Sequence, residues 1–467
     1  MKRNKIYLLG ILISLLIFSC KKEIVEPPVL TGNSLISLTA TKADNPVFSE
    51  DAFVYIKNDK AYITLPQNAN PSNIVLHFQI SEGATLSLNG TVINNLNGSF
   101  DLTNTVKAEI KSGAGVVNTY YILAQPGIAK YDAMLYKFME KYTIPGVSYA
   151  VMKMQNGSVE YKSGLGFADK NLRIRTKPNY LFRLGSISKQ FTTICIMKLM
   201  DEGKLTLSST VFGAGGILGN DYGTVSALAA KVTIKNLLNH TSGWTSNPDP
   251  MFTSSFRGQT LDQRISYVLS SPQTDPSTAS YSYFNMGFGI LGKVIEKLSG
   301  KTYEAYLTQV LSEAGITDVH VGKDLSGKRS NEVVYYSQDG TNGYLNEMDV
   351  IAAAGGLIAS TEEMMKLITY IDGKSNPTDI ISASARTQML TPSSSNGRYA
   401  LGWRANHPFF PGAFYHGGNL AGTGVFWVMG TDYSVAILCN SRSYIDGFDD
   451  EFYFIARDLI DDARQRF

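Results

Sequence analysis

Ser186-Ile187-Ser188-Lys189 sets a hydroxyl and an amine three positions apart. The run Phe191, Ile194, Ile196, Leu199, Met200 follows and Gly203 ends it, so the spacing predicts a helix that opens at Ser186. Residues three apart share a helix face, which puts Lys189 beside Ser186. A serine hydroxyl attacks poorly until a neighbouring base takes its proton, and a lysine held neutral by burial is such a base. The first helical turn adds free N–H groups and the positive end of the macrodipole, both favouring developing negative charge. Most copies of Ser-x-x-Lys are a helix start followed by a surface lysine. Gly185, which permits a close backbone approach, and the unusually apolar helix set this copy apart.

Other reactive residue types are sparse. His240 and Ser242 offer a second nucleophile and base, but Thr241-Ser242-Gly243 reads as a turn after a helix at Ile234–Leu238, and His240 is expected to hold a loop near the site. Ser360-x-x-Glu363 reads as a capping box. The five histidines, His77, His240, His320, His407 and His416, form no close pair, so no metal or other cofactor is expected. Cys195 and Cys439 lie in apolar stretches and are expected as buried free thiols.

The elements that must position these groups fall into two blocks. Strand-like runs at Phe53–Ile56, Tyr62–Leu65, Ile74–Ile80, Ala84–Leu88, Val106–Ile110 and Thr119–Leu123, with a hairpin signal at Asn89-Gly90, predict an Ig-like β-sandwich over 34–126. Pro126-Gly127 marks a boundary. Beyond it come a helix at Ala129–Lys141, a hairpin around Asn156-Gly157, a long helical stretch from Ser186 to about Leu390, strands at Gly424–Met429 and Tyr433–Cys439, and a closing helix near Asp450–Arg464. Strands at both ends of a helical insert argue for one α+β domain over 127–467, an antiparallel sheet flanked by terminal helices. The sandwich carries no chemistry of its own and is expected to be a spacer or a partner-binding module.

Lys2, Arg3 and Lys5, an apolar core Ile6–Phe18 and Ser19-Cys20 form an export signal over 1–19. Ile17-Phe18-Ser19-Cys20 resembles the lipobox of bacterial lipoproteins. That resemblance implies lipid on Cys20, a tether over 20–33, and a place in the outer membrane, because Lys21 follows the cysteine. Without the three signal-segment cations the formal +2 becomes 39 basic against 40 acidic residues, −1, which leaves no basic excess for nucleic acid.

Three stretches in order resemble the serine β-lactamase and penicillin-binding-protein superfamily: Ser186-Ile187-Ser188-Lys189, Tyr283-Phe284-Asn285 before a glycine-studded helix, and His416-Gly417-Gly418 on an expected strand. Leu237 to Gly243, Ala354-Gly355-Gly356-Leu357 and Leu401-Gly402-Trp403 accompany them. The resemblance covers about residues 128–467 and implies the β-lactamase/transpeptidase-like fold. It implies Ser186 as nucleophile, Lys189 and Tyr283 as the two proton carriers in either order, and Asn285 as a holder of Lys189 and a substrate amide. The backbone N–H groups of Ser186 and Asn419 become the oxyanion hole, with Gly417 and Gly418 along the substrate edge. Histidine rather than lysine at 416 resembles D,D-peptidases and D-aminopeptidases. The expected substrates are therefore peptides ending in D-amino acids (peptidoglycan fragments), related amides or esters. A β-lactamase or broad esterase is the alternative, and a penicillin- or peptide-binding lipoprotein without turnover is the alternative of another class. If protonated His416 binds a substrate carboxylate, affinity falls as pH rises through roughly 6 to 7.

Overall fold

In the computed structural model, residues 29–466 are described. The expected signal segment 1–19, the expected lipid site Cys20 and the expected tether up to residue 28 lie outside the described residues.

Alternation builds the N-terminal block. In Ile74–Ile80 the side chains of Ile74, Leu76 and Phe78 are buried while Val75 and His77 are only partly covered. Leu86, Leu38, Ala108, Ile110 and Ile122 join them in one core between two sheets. One sheet has the order Leu35–Thr39, Ile74–Ile80, Asn97–Phe100. The other runs Phe53–Lys57, Lys60–Leu65, Val117–Pro126, Val106–Lys111, Thr85–Leu88, Thr91–Ile93. Lys60–Leu65 and Val117–Pro126 are parallel; the other pairings are antiparallel. Asn89 and Gly90 both take positive φ, +48° and +85°, as a two-residue hairpin turn of the favoured twist requires. Thr91–Ile93 is the second arm of the hairpin that Asn89-Gly90 signals, whereas Leu35–Thr39 and Asn97–Phe100 have no counterpart in the sequence pattern. These two are short and partly exposed, so pairing rather than apolar pattern defines them.

The second block is built on a seven-stranded antiparallel sheet in the order Ile174–Arg175, Ser158–Asp169, Gly146–Lys153, Tyr433–Cys439, Thr423–Met429, Phe410–Leu420, Arg404–His407. Both its faces are covered, so its central strands read as continuous apolar runs that alternation then divides. Val147, Tyr149 and Val151 pack under the terminal helices Ala129–Lys141 and Phe448–Arg466, with Phe138, Phe452 and Leu459. Ala150 and Met152 face the helical insert, with Phe191, Ile194 and Trp427. This is the expected α+β architecture, with the sandwich in front of it.

The helix that carries Lys189 spans Ser188–Asp201, and apart from Lys198, Met200 and Asp201 its side chains are buried. Ser186 lies just before it, in a 3-10 turn over Gly185–Ile187, not in the first turn of the helix itself. Gly185 has φ +50°, which the helix could not have accommodated, and this bends the chain into the turn. At Ser360 the hydroxyl does accept the Glu363 N–H (3.2 Å), but the Glu363 carboxylate turns to the backbone N–H groups of Thr317 and Asp318, so the box is not reciprocal.

The two blocks meet over a polar and aromatic seam. Tyr62 of the sandwich stacks on Tyr136 with ring centroids 4.4 Å apart. Between them Asp132 is fully buried and accepts from Thr64 Oγ1 (2.8 Å) and Tyr149 Oη (2.5 Å). Arg175 donates to the carbonyls of Leu102, Thr103 and Ala124.

Candidate active site

Ser186 sits where two backbones nearly touch. A Cβ on Gly185 would fall 2.8 Å from the Asn419 nitrogen, and one on Gly418 would fall 2.1 Å from the Leu184 carbonyl oxygen. Glycine at both positions lets the edge of Phe410–Leu420 lie against the turn that bears Ser186. Gly417 and Gly418 thus run alongside Ser186, and the exposed side chain of Asn419 leaves its backbone nitrogen closest to the turn.

Lys189 reaches up from the helix into a buried position with three oxygen neighbours: Ser186 Oγ at 3.2 Å, Asn285 Oδ1 at 2.9 Å and the Ala354 carbonyl at 2.6 Å. The two carbonyl oxygens can only accept. They take two amine protons, and in the neutral amine the remaining lone pair faces the Ser186 hydroxyl. Burial lowers the amine to about 7, with the Arg404 charge acting the same way and Asp249 opposing it. Tyr283 donates its phenol hydrogen to Ser186 Oγ at 2.9 Å, and burial raises its ionisation well above the ordinary tyrosine range. Ser186 therefore lies between an amine able to take a proton and a phenol able to give one.

Distant sequence segments converge here for identifiable reasons. Ala354 belongs to the short helix Ala352–Gly355, which Thr192 Oγ1 anchors through the Ala353 carbonyl (2.7 Å). A Cβ on Gly292, in the helix Asn285–Ser299, would lie 3.0 Å from the Ala353 side chain, so glycine there lets the two helices approach closely. Gly402, at φ +75°, turns against the Lys189 helix so closely that a Cβ would meet Thr193 Oγ1 at 2.2 Å.

His416 belongs to the site but not as a cation. His240 Nδ1 accepts the Phe284 N–H (3.1 Å), so its Nε2 carries hydrogen and donates to Tyr399 Oη (3.0 Å). Tyr399 then donates to His416 Nε2 (3.3 Å), and His416 Nδ1–H donates to the Gly417 carbonyl (2.6 Å). Every donor in this chain has an acceptor only when both imidazoles are neutral. Burial and the Arg404 charge push the His416 ionisation well below the usual histidine range. A protonated His416, on which the expected carboxylate contact depends, is disfavoured by this arrangement. His240 is a structural residue, as read from the sequence: its ring lies 4.4 Å from that of Tyr283, and Ser242 is not its partner.

Four residues went unnoticed in the sequence. Asp249 accepts from Asn285 Nδ2 at 2.7 Å. Tyr399 links the two histidines. Arg404 and Tyr281 line a cleft of about 670 Å³ that opens beside Tyr283, Tyr399, Tyr415 and Tyr453. Asp450 is the only carboxylate residue on its wall, so Arg404 and Arg398 leave the cleft positive. The signal for Asp249 was its setting between Pro248 and Pro250, and for Tyr399 and Arg404 their places around Ala400-Leu401-Gly402-Trp403.

A family model described as Beta-lactamase matches residues 131–459. "Protein flp" of Staphylococcus aureus (strain NCTC 8325 / PS 47) is 23% identical over 323 residues, which are 67% of this chain and 63% of that protein, so the chain spans less than two thirds of the length of this relative. The "Putative penicillin-binding protein PbpX" of Bacillus subtilis (strain 168) is 27% identical over 277 residues, 57% of this chain and 66% of its own. Among solved structures, the octameric penicillin-binding protein homologue from Pyrococcus abyssi shares the fold with a TM-score of 0.57 at 24% identity, over 71% of this chain and 76% of that one.

Proposed function

The chain belongs to the Beta-lactamase family, and from that premise we propose that it is a serine hydrolase working through an acyl-enzyme on Ser186. The observation that carries this reading is the placement of Ser186 Oγ between Lys189 Nζ and Tyr283 Oη, at 3.2 and 2.9 Å. Neutral Lys189 takes the Ser186 proton as Oγ bonds to the substrate carbonyl carbon. The oxygen that becomes negative turns toward the backbone N–H groups of Ser186 and Asn419, brought together by Gly185 and Gly418. As the tetrahedral intermediate collapses, the bond to the leaving group breaks and Tyr283 protonates it, Lys189 restoring the phenol hydrogen. Water attacks the ester by the same route in reverse. The order, lysine as first base and tyrosine as acid, rests on the opposite pKa shifts of the two groups.

Substrate choice follows from the cleft. Arg404 is the cation beside Tyr283, and it takes the carboxylate-binding part once assigned to His416. The favoured substrates are amides and esters that carry a free carboxylate next to the scissile bond, as peptides ending in a D-amino acid do. A β-lactam offers the same pair of groups and is the second reading. The lipobox-like Ile17-Phe18-Ser19-Cys20 supports a reading in which this chemistry takes place outside the cytoplasm on a lipid anchor, with the sandwich as a spacer.

The test uses the full chain and its Ser186→Ala variant. Both are incubated with a fluorescent penicillin, then with D-Ala-D-Ala peptides, D-amino acid amides, nitrocefin and nitrophenyl esters. Turnover of a carboxylate-bearing substrate that vanishes in Ser186→Ala is expected. Labelling that survives the substitution sinks the nucleophile assignment, and labelling with no turnover of any substrate replaces the enzyme by a binding protein.

A further inference from the structure

The Asn285 side chain has an accepting end and a donating end, and each faces one charged partner. Oδ1 accepts from Lys189 and Nδ2 donates to Asp249 Oδ2. Turned over, the amide would set N–H against N–H at the lysine and oxygen against oxygen at the carboxylate. Lys189 alone does not settle the matter, because a neutral amine could accept from an amide N–H as well as donate to its oxygen. Asp249 can only accept. It is also anchored: Oδ1 accepts the Met251 N–H (2.9 Å), and its backbone carbonyl accepts the N–H groups of Phe252 and Thr253 at 3.2 and 2.9 Å.

We propose that Asp249 is a positioning residue of the acylating site: it locks the Asn285 amide with its oxygen toward Lys189, which keeps the amine lone pair on Ser186, and it holds one negative charge against that amine. The inference rests on the proposed acyl-enzyme reading. Charged and titratable groups face Lys189 from several elements: Tyr283 before the Asn285–Ser299 helix, His240 after Ile234–Leu238, His416 on Phe410–Leu420, Arg404 on Arg404–His407, and Asp249 in the turn before Ser254. Both histidines are neutral by their hydrogen bonds, and burial keeps Tyr283 a phenol. Arg404 and Asp249 are the charges that remain, and they act on the amine in opposite directions.

The experiment compares the full chain with Asp249→Asn and Asp249→Ala. The amide variant keeps an oxygen for the Met251 N–H and loses only the charge and the obligatory acceptor. The acylation rate constant with fluorescent penicillin, and kcat and KM for whichever substrate turns over, are measured from pH 5.5 to 9. With Asp249 present its charge holds the proton on Lys189, so its removal moves the acid limb to lower pH, by roughly half a unit or more in both variants. The plateau falls about 10-fold in Asp249→Asn and further in Asp249→Ala, in kcat rather than KM. A lowered plateau with an unmoved acid limb means a structural role only and overturns the inference, as does an unchanged profile. Loss of the Ser186 dependence in the unsubstituted chain overturns the underlying reading instead, so the two failures are distinguishable. Thermal unfolding of each variant separates a local effect from a folding defect.

Discussion

Asp132 and Lys189 are both fully buried ionisable side chains, and burial drives them from opposite sides to the same value, about 7. What surrounds them differs. Asp132 accepts from the hydroxyls of Thr64, Tyr149 and Tyr161 and closes the seam between sandwich and hydrolase-like domain. Its partners are structural groups, and each is spent in holding it. Lys189 has two carbonyls that fix its hydrogens and one hydroxyl, Ser186, which Tyr283 connects to the wall of a positive cleft. A perturbed ionisation therefore does not mark a reactive site by itself. The partners decide, and here they hold Asp132 in the architecture and leave Lys189 free for the proposed chemistry.

The sharpest way to break this contrast is to exchange each group for an uncharged one. Lys189→Met keeps the length of the side chain and removes the amine. The expected loss in kcat/KM is about 10³-fold, within the usual range for a lost general base, with a loss of stability limited to the two carbonyl oxygens that lose their donor, about 1–3 kcal/mol each. Steady-state kinetics beside a melting curve checks both halves. If Lys189→Met unfolds the protein and leaves activity intact in the folded fraction, the assignment of the two buried groups is reversed.

A smaller effect belongs to Arg404. Arg404→Gln should raise KM about 10- to 100-fold for carboxylate-bearing substrates, the weight of one charge-assisted hydrogen bond, and leave neutral nitrophenyl esters nearly unchanged. It should also move the acid limb to higher pH, because Arg404 pushes protons off Lys189. His416→Gln should not reproduce the pH effect, since a neutral imidazole is being replaced by a neutral amide. KM that stays independent of substrate charge in Arg404→Gln would remove the arginine from substrate recognition.

The parts of the site that were legible in the sequence are those set by local chemistry. Ser186 and Lys189 belong to neighbouring turns, and Tyr283 with Asn285 sits where a helix begins, so spacing alone put them forward. The charge of His416 was not legible, because it depends on Tyr399, His240 and Arg404, which sequence places up to 176 positions away and the sheet edge brings together. Asp249 was hidden for a similar reason: only the packing of its turn against Asn285 gives the carboxylate a partner. In the fold, long buried strands and helices declared themselves, as Ala129–Lys141 and Tyr433–Cys439 did. Leu35–Thr39 and Asn97–Phe100 did not, since a strand stabilised mainly by its neighbour has little pattern of its own.

The mildest prediction concerns Asp132, and it tests the other half of the comparison. Its carboxyl is raised from the ordinary aspartate range to about 7 in the folded chain. Between the unfolded and folded values the folded state binds the extra proton, so this contribution to stability is complete below about 4 and is lost as pH rises through about 7. The seam should therefore be tighter at pH 5 than at pH 8, by at most about 3 kcal/mol from this group alone. Asp132→Asn cannot ionise. Its melting temperature should vary less between pH 5 and pH 8 than that of the unsubstituted chain, and its acylation rate should be unaltered at either pH. An unchanged pH dependence of melting would mean that the hydroxyls of Thr64, Tyr149 and Tyr161 satisfy the carboxylate as fully as water does. A fall in acylation would show that the seam and the site are coupled, and that the division between an architectural and a reactive buried charge does not hold in this fold.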